Sequence, residues 1–190
     1  FVVLITCAIF LVNSGGNSKK NDCLAAAAQE AQRNKLQSRA AILVNPANSP
    51  CEDRFNCHQF DNLDGFYSAV FDGHGGAHCA EQMSLALPDE LGRLIHRGAR
   101  PPKALFNAFV KCDQRFLQGS AADASGSTCS CVLIGGRGRC LVGNVGDSRT
   151  ILCRSGKAHE LTHDHKASGP REVCTTVAMG GFVSNNRLMG

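Results

Sequence analysis

The chain has 190 residues, a length that suits one domain with a sizeable hydrophobic core. Its 20 Lys and Arg and 16 Asp and Glu give a net charge of +4 without a long basic run, which excludes the usual electrostatic footprint of a nucleic-acid-binding protein. The 11 Cys are odd in number and scattered in spacing, which argues against zinc fingers and a secreted disulfide framework and favours reduced thiols in a cytosol-like compartment.

Residues 1–12 are almost wholly apolar, but they are too few to span a bilayer, which takes about 20 residues. The chain begins with Phe rather than Met, so we expect residues to be missing upstream, and the segment is then typical of the end of a transmembrane anchor or of a signal-peptide core. A buried strand and a mistranslated upstream region are the alternatives. Lys19 and Lys20 suit a cytosolic flank, which predicts a location on the cytoplasmic side, with or without a membrane anchor.

Composition divides the chain into an N-terminal segment, 1–40, and a globular part, 41–190. Residues 24–40 are rich in Ala, Gln, Arg and Lys and predict a helix or a helical linker. The apolar run 41–44 predicts the first strand of the globular part, and the Pro and Asn residues after it end that strand. Glu52 and Asp53 follow, and two carboxylates beside an Arg are by themselves typical of a solvated surface.

A buried strand that ends in an acid dominates the next region. Residues 66–71 are apolar and aromatic, which suits a packed strand. The glycines that follow cannot continue it. The carboxylate of Asp72 and the carbonyl of Gly73 are the oxygen ligands that Mg²⁺ and Mn²⁺ prefer, and His74 is placed to supply a proton near neutral pH. The alternative is a tight turn in which Asp72 caps a helix.

Two helical patterns come next. Apolar residues recur at helical spacing from 77 to 95, and Pro88 interrupts them, which predicts two short helices or one kinked helix. Pro101 and Pro102 suit the first turn of a further helix. Its predicted apolar face consists of Leu105, Ala108, Phe109, Cys112 and Phe116.

The remaining elements are predicted to be mainly strands. A strand over 125–134 places Cys129 and Cys131 on one face, where they pack as small hydrophobic residues. A glycine-rich hairpin turn leads to a return strand that ends at 145, and Asp147 lies in the turn after it. His163 and His165 flank an Asp, but the sequence nominates no further ligands for a zinc site.

Several of these segments together resemble the metal-dependent protein Ser/Thr phosphatases, the PP2C (PPM) family, and they occur in the family's order. The similar motifs are Asp72-Gly73-His74-Gly75-Gly76, Gly126-Ser127-Thr128, Gly146-Asp147-Ser148-Arg149 and Leu161-Thr162-His163-Asp164-His165-Lys166. The resemblance implies an α+β fold in which two antiparallel β-sheets form a sandwich flanked by helices.

The resemblance also implies a reaction, the hydrolysis of phosphoserine or phosphothreonine in protein substrates by a monomer. It implies two Mn²⁺ or Mg²⁺ ions with Asp72 as their bridge, and a third, weaker ion at Asp147. The carbonyl of Gly73 is an implied metal ligand, and Glu52 and Asp53 are implied to line the metal site and to hold metal-bound waters. His74 is implied to protonate the leaving alkoxide.

The chain departs from the family pattern, and these departures leave alternative functions open. Many members carry an Arg that grips phosphate where this chain has Asn48, although the pyruvate-dehydrogenase-phosphatase branch, which is similar here, also lacks it. Further aspartate ligands of the family would follow Gly190, so we expect a C-terminally truncated copy that is inactive and unstable by itself. The rival hypothesis is a catalytically dead fragment or pseudophosphatase that acts as a binding module.

Overall fold

The computed structural model describes residues 2–6, 9–12, 40–42, 50–60, 65–119, 123–135, 139–185 and 187–189, the first three and the last of these ranges by backbone alone. The helices are α1 (His78–His96), α2 (Pro101–Gly119) and α3 (Pro170–Ala178). The strands are β1 (Val2–Thr6), β2 (Ile9–Val12), β3 (Ala40–Ile42), β4 (Arg54–Phe60), β5 (Gly65–Phe71), β6 (Gly73–His74), β7 (Gly126–Ser127), β8 (Cys129–Gly135), β9 (Arg139–Val145), β10 (Arg149–Arg154), β11 (Lys157–Glu160), β12 (Phe182–Ser184) and β13 (Arg187–Met189).

The predicted buried strand, β5, lies inside a four-stranded antiparallel sheet with the order β4-β5-β8-β9. A second antiparallel sheet has the order β11-β10-β1-β2-β3, and the short pairs β6-β7 and β12-β13 complete the pairing among the described residues. Gly135 faces Arg139 across β8 and β9, as the predicted hairpin requires. The α+β fold class with antiparallel sheets and helices is confirmed.

Side-chain alternation along β5 divides the core into two layers. Tyr67, Ala69 and Phe71 point to one face and pack with residues of α1 and α2, such as Leu91 and Leu105. The other face carries smaller apolar residues, Val70 with Val132 of β8, and Leu152 of β10 packs against them. Because β10 belongs to the second sheet, this contact brings the two sheets face to face, as in the predicted sandwich.

Both predicted helical patterns form helices. The stripe on either side of Pro88 lies on the single helix α1, and Pro88 itself is buried within it. Helix α2 begins at Pro101, as predicted. The predicted apolar face of α2 is buried except for Phe109, which is partly buried. Cys129 and Cys131 are buried with this face as free thiols, and the other described cysteines are also free.

Within the apolar start of the chain, Val2–Thr6 and Ile9–Val12 are β-strands, and the expected membrane anchor or signal core in 1–12 is not supported. Strand β1 pairs with β10 and β2, and β2 pairs with β3, so the strand alternative is the one that the structure shows. No helix in the described part of the chain is long and apolar enough to cross a membrane. The predicted first strand, 41–44, is instead the third, because it corresponds to β3, which begins at Ala40.

Some predictions stay untested. The predicted helix over 24–40 lies outside the described residues, apart from Ala40. Asn48 also lies outside them, and the domain boundary at residue 41 stays a prediction.

Candidate active site

Asp72 stands between the end of β5 and the start of β6, and its backbone is fixed by Thr128. The Asp72 N–H donates to Thr128 Oγ1 at 3.2 Å, and the Thr128 N–H donates to the Asp72 carbonyl at 2.9 Å. The Asp72 side chain is exposed. Helix α1 begins only at His78, with Ala77 as its cap residue, so Asp72 does not cap it. The strand therefore presents this carboxylate to solvent from a rigid backbone.

Partial burial and neighbouring acids raise the pKa of the Asp72 carboxyl. Partial desolvation raises the pKa of its carboxyl, and the negative charges of Asp53, Asp147 and Glu52 raise it further, whereas nearby His74 lowers it. The structure thus brings the predicted acids from three separate segments into one electrostatic neighbourhood. A divalent cation would offset the repulsion among these carboxylates.

The loop that carries Glu52 and Asp53 is docked directly on the glycines after Asp72. A Cβ built on Gly73 would overlap the backbone carbonyl oxygen of Glu52, so only glycine permits this approach. The Gly76 N–H donates to Glu52 Oε1 at 2.7 Å. Gly76 has φ of +125°, a conformation that other residues rarely adopt. One carboxylate oxygen of Glu52 thus accepts a backbone hydrogen bond, and its expected role of holding metal-bound water stays a prediction.

His74 is exposed and lies in β6, opposite Gly126 in β7. A Cβ on Gly126 would come within 2.9 Å of His74 Cε1 and closer still to Nε2, so the imidazole rests against this glycine. Sequence reasoning assigned Gly126 only to the start of a strand. The Gly126-Ser127-Thr128 motif was the available signal, since it supplies both this contact and the Thr128 hydroxyl that holds Asp72.

Asp147 is exposed in the turn between β9 and β10, which Gly146 permits with φ of +92°. Ser148 links this turn to Asp72, because its Oγ lies 2.6 Å from Thr128 Oγ1. The turn is also joined to the 161–166 segment, since the His165 N–H donates to the Gly146 carbonyl at 2.9 Å. These hydrogen bonds therefore fix the turn that carries Asp147, on the same side of the sandwich as Asp72.

Asp164 is held as an ion-pair partner. The guanidinium of Arg149 donates to both carboxylate oxygens of Asp164, at 2.6 and 2.7 Å, and Lys166 lies 3.1 Å away. These contacts hold the pKa of Asp164 well below its usual range. This bonding indicates a structural role for the 161–166 segment.

The donor chemistry of the acidic neighbourhood suits Mg²⁺ or Mn²⁺, since its members are carboxylate and carbonyl oxygens. Within the described ranges, no three or more His, Cys, Asp or Glu side chains are grouped closely enough to hold a metal ion. The acids are therefore neighbours of suitable chemistry whose side chains have not converged on one point.

The fold and site define this protein as a helix-flanked β-sandwich with an acidic site at its strand ends. Comparison with known proteins identifies the family. A sequence profile described as Protein phosphatase 2C matches residues 17–190. The chain belongs to the protein phosphatase 2C family.

Individual relatives agree with this assignment. Probable protein phosphatase 2C 57 of Oryza sativa subsp. japonica is 37% identical over 143 residues, which cover 72% of this chain and 38% of the rice protein. Protein phosphatase 1K, mitochondrial, of Xenopus laevis is 35% identical over 143 residues, with the same two coverages of 72% and 38%. Protein phosphatase 2C homolog 2 of Saccharomyces cerevisiae is 38% identical over 130 residues, 66% of this chain and 28% of the yeast protein.

A solved structure, described as that of a C. elegans sex determining protein, matches with a TM-score of 0.61 and 27% identity over 72% of this chain and 37% of that chain. The present chain thus spans 28% to 38% of the length of the relatives named above.

Proposed function

We propose that this chain contributes to a metal-dependent protein phosphatase that hydrolyses phosphoserine and phosphothreonine in proteins. The observation that carries the proposal is that the loop with Glu52 and Asp53 is docked on Gly73 and Gly76, beside Asp72 at the end of a buried strand, in a chain of the protein phosphatase 2C family. Family membership supports phosphatase chemistry, and the oxygen donors support Mn²⁺ or Mg²⁺ as the cofactor.

Each acid has a proposed role. Asp72 would bridge two ions, Gly73 would contribute its backbone carbonyl, and Glu52 and Asp53 would line the site and hold ion-bound water. Asp147 would hold a third, weaker ion. When bound, the ions supply a water of lowered pKa and positive charge opposite the phosphate oxygens.

His74 would transfer the proton that the leaving group needs. Departure of the serine or threonine oxygen from phosphorus leaves an alkoxide, and a protonated imidazole can neutralise it at near-neutral pH. His74 suits this role because its ring is exposed and is seated on Gly126 beside Asp72. The proposed reaction does not need a covalent phosphoenzyme.

The finer assignments belong to the same proposal. The 47–54 segment is similar to the pyruvate-dehydrogenase-phosphatase branch, which supports a phosphate site that has Asn48 in place of the usual Arg. The cysteine pattern supports a reducing, cytosol-like compartment, and a monomer is proposed. The chain by itself is proposed to be inactive, because it spans only 28% to 38% of the length of the relatives named above.

The test is release of inorganic phosphate from a phosphothreonine peptide in the presence of Mn²⁺. The assay compares the 190-residue chain with the longest open reading frame that contains it, each as wild type and as Asp72→Asn. We expect turnover only by the longer protein, abolished by Asp72→Asn and by EDTA. Robust turnover by the 190-residue chain would overturn its proposed inactivity. A longer protein that binds the phosphopeptide without hydrolysing it would instead establish a binding module.

A further inference from the structure

Arg54 is bonded to the loop that carries the two N-terminal acids. Its Nη1 donates to the carbonyl of Asp53 at 2.8 Å and to the carbonyl of Cys51 at 3.1 Å. Its Nη2 donates to Glu81 Oε2 of helix α1 at 3.2 Å. The side chain is 32% exposed, whereas that of Glu81 is 60% exposed. One guanidinium therefore joins the backbone on both sides of Glu52 to the first turn of α1.

Two further contacts hold the same loop from its other side. The Glu52 carbonyl lies against the bare Cα of Gly73, and the Glu52 carboxylate accepts the Gly76 N–H. Arg54 is paired across the sheet with Phe71, the residue before Asp72. The loop is thus enclosed between Arg54 and the Gly73–Gly76 turn, and its position relative to Asp72 depends on both.

We propose that Arg54 is a positioning residue that holds Glu52 and Asp53 against Asp72 for metal binding. The inference rests on the proposed function. It assigns Arg54 to the metal site rather than to the substrate phosphate, because Nη1 already donates to two carbonyls of the loop and Nη2 to Glu81 of α1. The planar, forked guanidinium can serve two carbonyls and a carboxylate at once, and the single ammonium of a lysine cannot reproduce that geometry.

Three variants of the full chain separate geometry from charge. Arg54→Gln removes the fork and the charge, and Arg54→Lys removes the fork alone. The matched control, Glu81→Gln, weakens only the exposed partner and leaves both carbonyl contacts in place. Electron paramagnetic resonance of free Mn²⁺ measures binding even at a weak site. Hydrogen exchange at the Gly76 amide measures the docking of Glu52 without metal, and thermal unfolding checks that each variant is folded.

We expect both Arg54 variants to weaken Mn²⁺ binding about 10- to 100-fold, the usual effect of losing a partner that orients metal ligands. Glu81→Gln should stay within about twofold of wild type, because exposed ion pairs contribute little. The Gly76 amide should exchange faster in both Arg54 variants and at the wild-type rate in Glu81→Gln. If Arg54→Gln does not fold, Arg54→Lys still tests the loss of the forked geometry.

Three results would overturn the assignment. Wild-type Mn²⁺ affinity in Arg54→Lys would show that charge alone matters. Unchanged Mn²⁺ affinity in both variants, together with weaker competition by inorganic phosphate, would make Arg54 a phosphate ligand. Failure of the wild-type chain to bind Mn²⁺ would count against the proposed function instead. Gly76 exchange would then decide the role of Arg54, since an unchanged rate contradicts it.

Discussion

Gly126 shows how a residue without a side chain sets the position of a catalytic candidate. His74 and Gly126 face each other in a two-residue pairing, and the ring of His74 occupies the space where another residue would place its Cβ. General acid catalysis depends on placing the donor within hydrogen-bond reach of the leaving oxygen. The lack of a side chain at Gly126, on the neighbouring strand, therefore sets the position of the His74 imidazole.

Gly126→Ala is expected to displace the His74 ring while leaving the protein folded, because only a side chain, which can rotate, stands in the way. In the protein encoded by the longer open reading frame, Gly126→Ala should lower kcat for the phosphothreonine peptide by up to about 100-fold. This is the lower end of what a general acid contributes. Gly135→Ala is the control, since a Cβ there meets nothing within 4 Å. Equal kcat values for the two variants would contradict this role for Gly126.

At the scale of elements, helices α1 and α2 are joined by one buried carboxylate. Glu90 of α1 is 3% exposed and is paired with Arg93 of its own helix. Lys111 and Arg115 of α2 each lie 3.3 Å from it. Hydrogen bonding from Arg93 is the main cause that lowers the pKa of Glu90 from 4.5 to about 2, with Lys111 and Arg115 adding to it against the effect of burial.

Stability should therefore depend on pH through Glu90. Its folded-state pKa is below the ordinary value, so its ion pairs stabilise the fold fully above about pH 5, and this contribution is lost as the pH falls toward 2. At pH 7, Glu90→Gln should cost about 2–3 kcal/mol of unfolding free energy, a figure reduced for solvent screening of the three cations. Urea denaturation from pH 7 to pH 3 should show the difference from wild type shrinking.

Asp89→Asn provides the comparison for Glu90→Gln, because Asp89 is the adjacent carboxylate and is exposed. Its curve should follow wild type at every pH. A constant difference between Glu90→Gln and wild type down to pH 3 would mean that the loss comes from packing and not from charge.

Across the whole molecule, a polar bridge joins the two sheets at their buried interface. Ser130 of β8 and Thr150 of β10 are both fully buried, and their hydroxyl oxygens lie 2.8 Å apart. The Thr150 N–H donates to Thr162 Oγ1 at 3.0 Å, which attaches the 161–166 segment to the same point. A buried pair of this kind fixes the register of one sheet on the other, because a shifted sheet would leave both hydroxyls without partners.

A double-mutant cycle on Ser130→Ala and Thr150→Val tests this bridge. Each single variant should lose about 1–2 kcal/mol of unfolding free energy, because it leaves one buried hydroxyl unsatisfied. The double variant should lose less than the sum of the two, by about 0.5–1 kcal/mol. Urea denaturation at neutral pH measures all four proteins. Strict additivity would show that the two hydroxyls do not stabilise each other.

The sequence by itself determined the features that depend on local pattern. Alternation and turn chemistry predicted β5, β8 and β9, and the helical stripes predicted α1 and α2. The motif at Asp72 indicated the family that the profile confirms. These predictions succeed because hydrophobic periodicity and glycine positions act within a few residues along the chain.

Only the tertiary structure decided what depends on distant partners. The apolar pattern of residues 1–12 suits a strand and a membrane segment alike, and only the tertiary structure shows β1 paired with β10 and β2 paired with β3. The sequence showed Arg54 beside two acids, which is typical of a solvated surface, and could not show its bonds to Glu81, 27 residues away. The seat of His74 on Gly126 likewise joins two strands that are far apart in sequence, so no local pattern could reveal it.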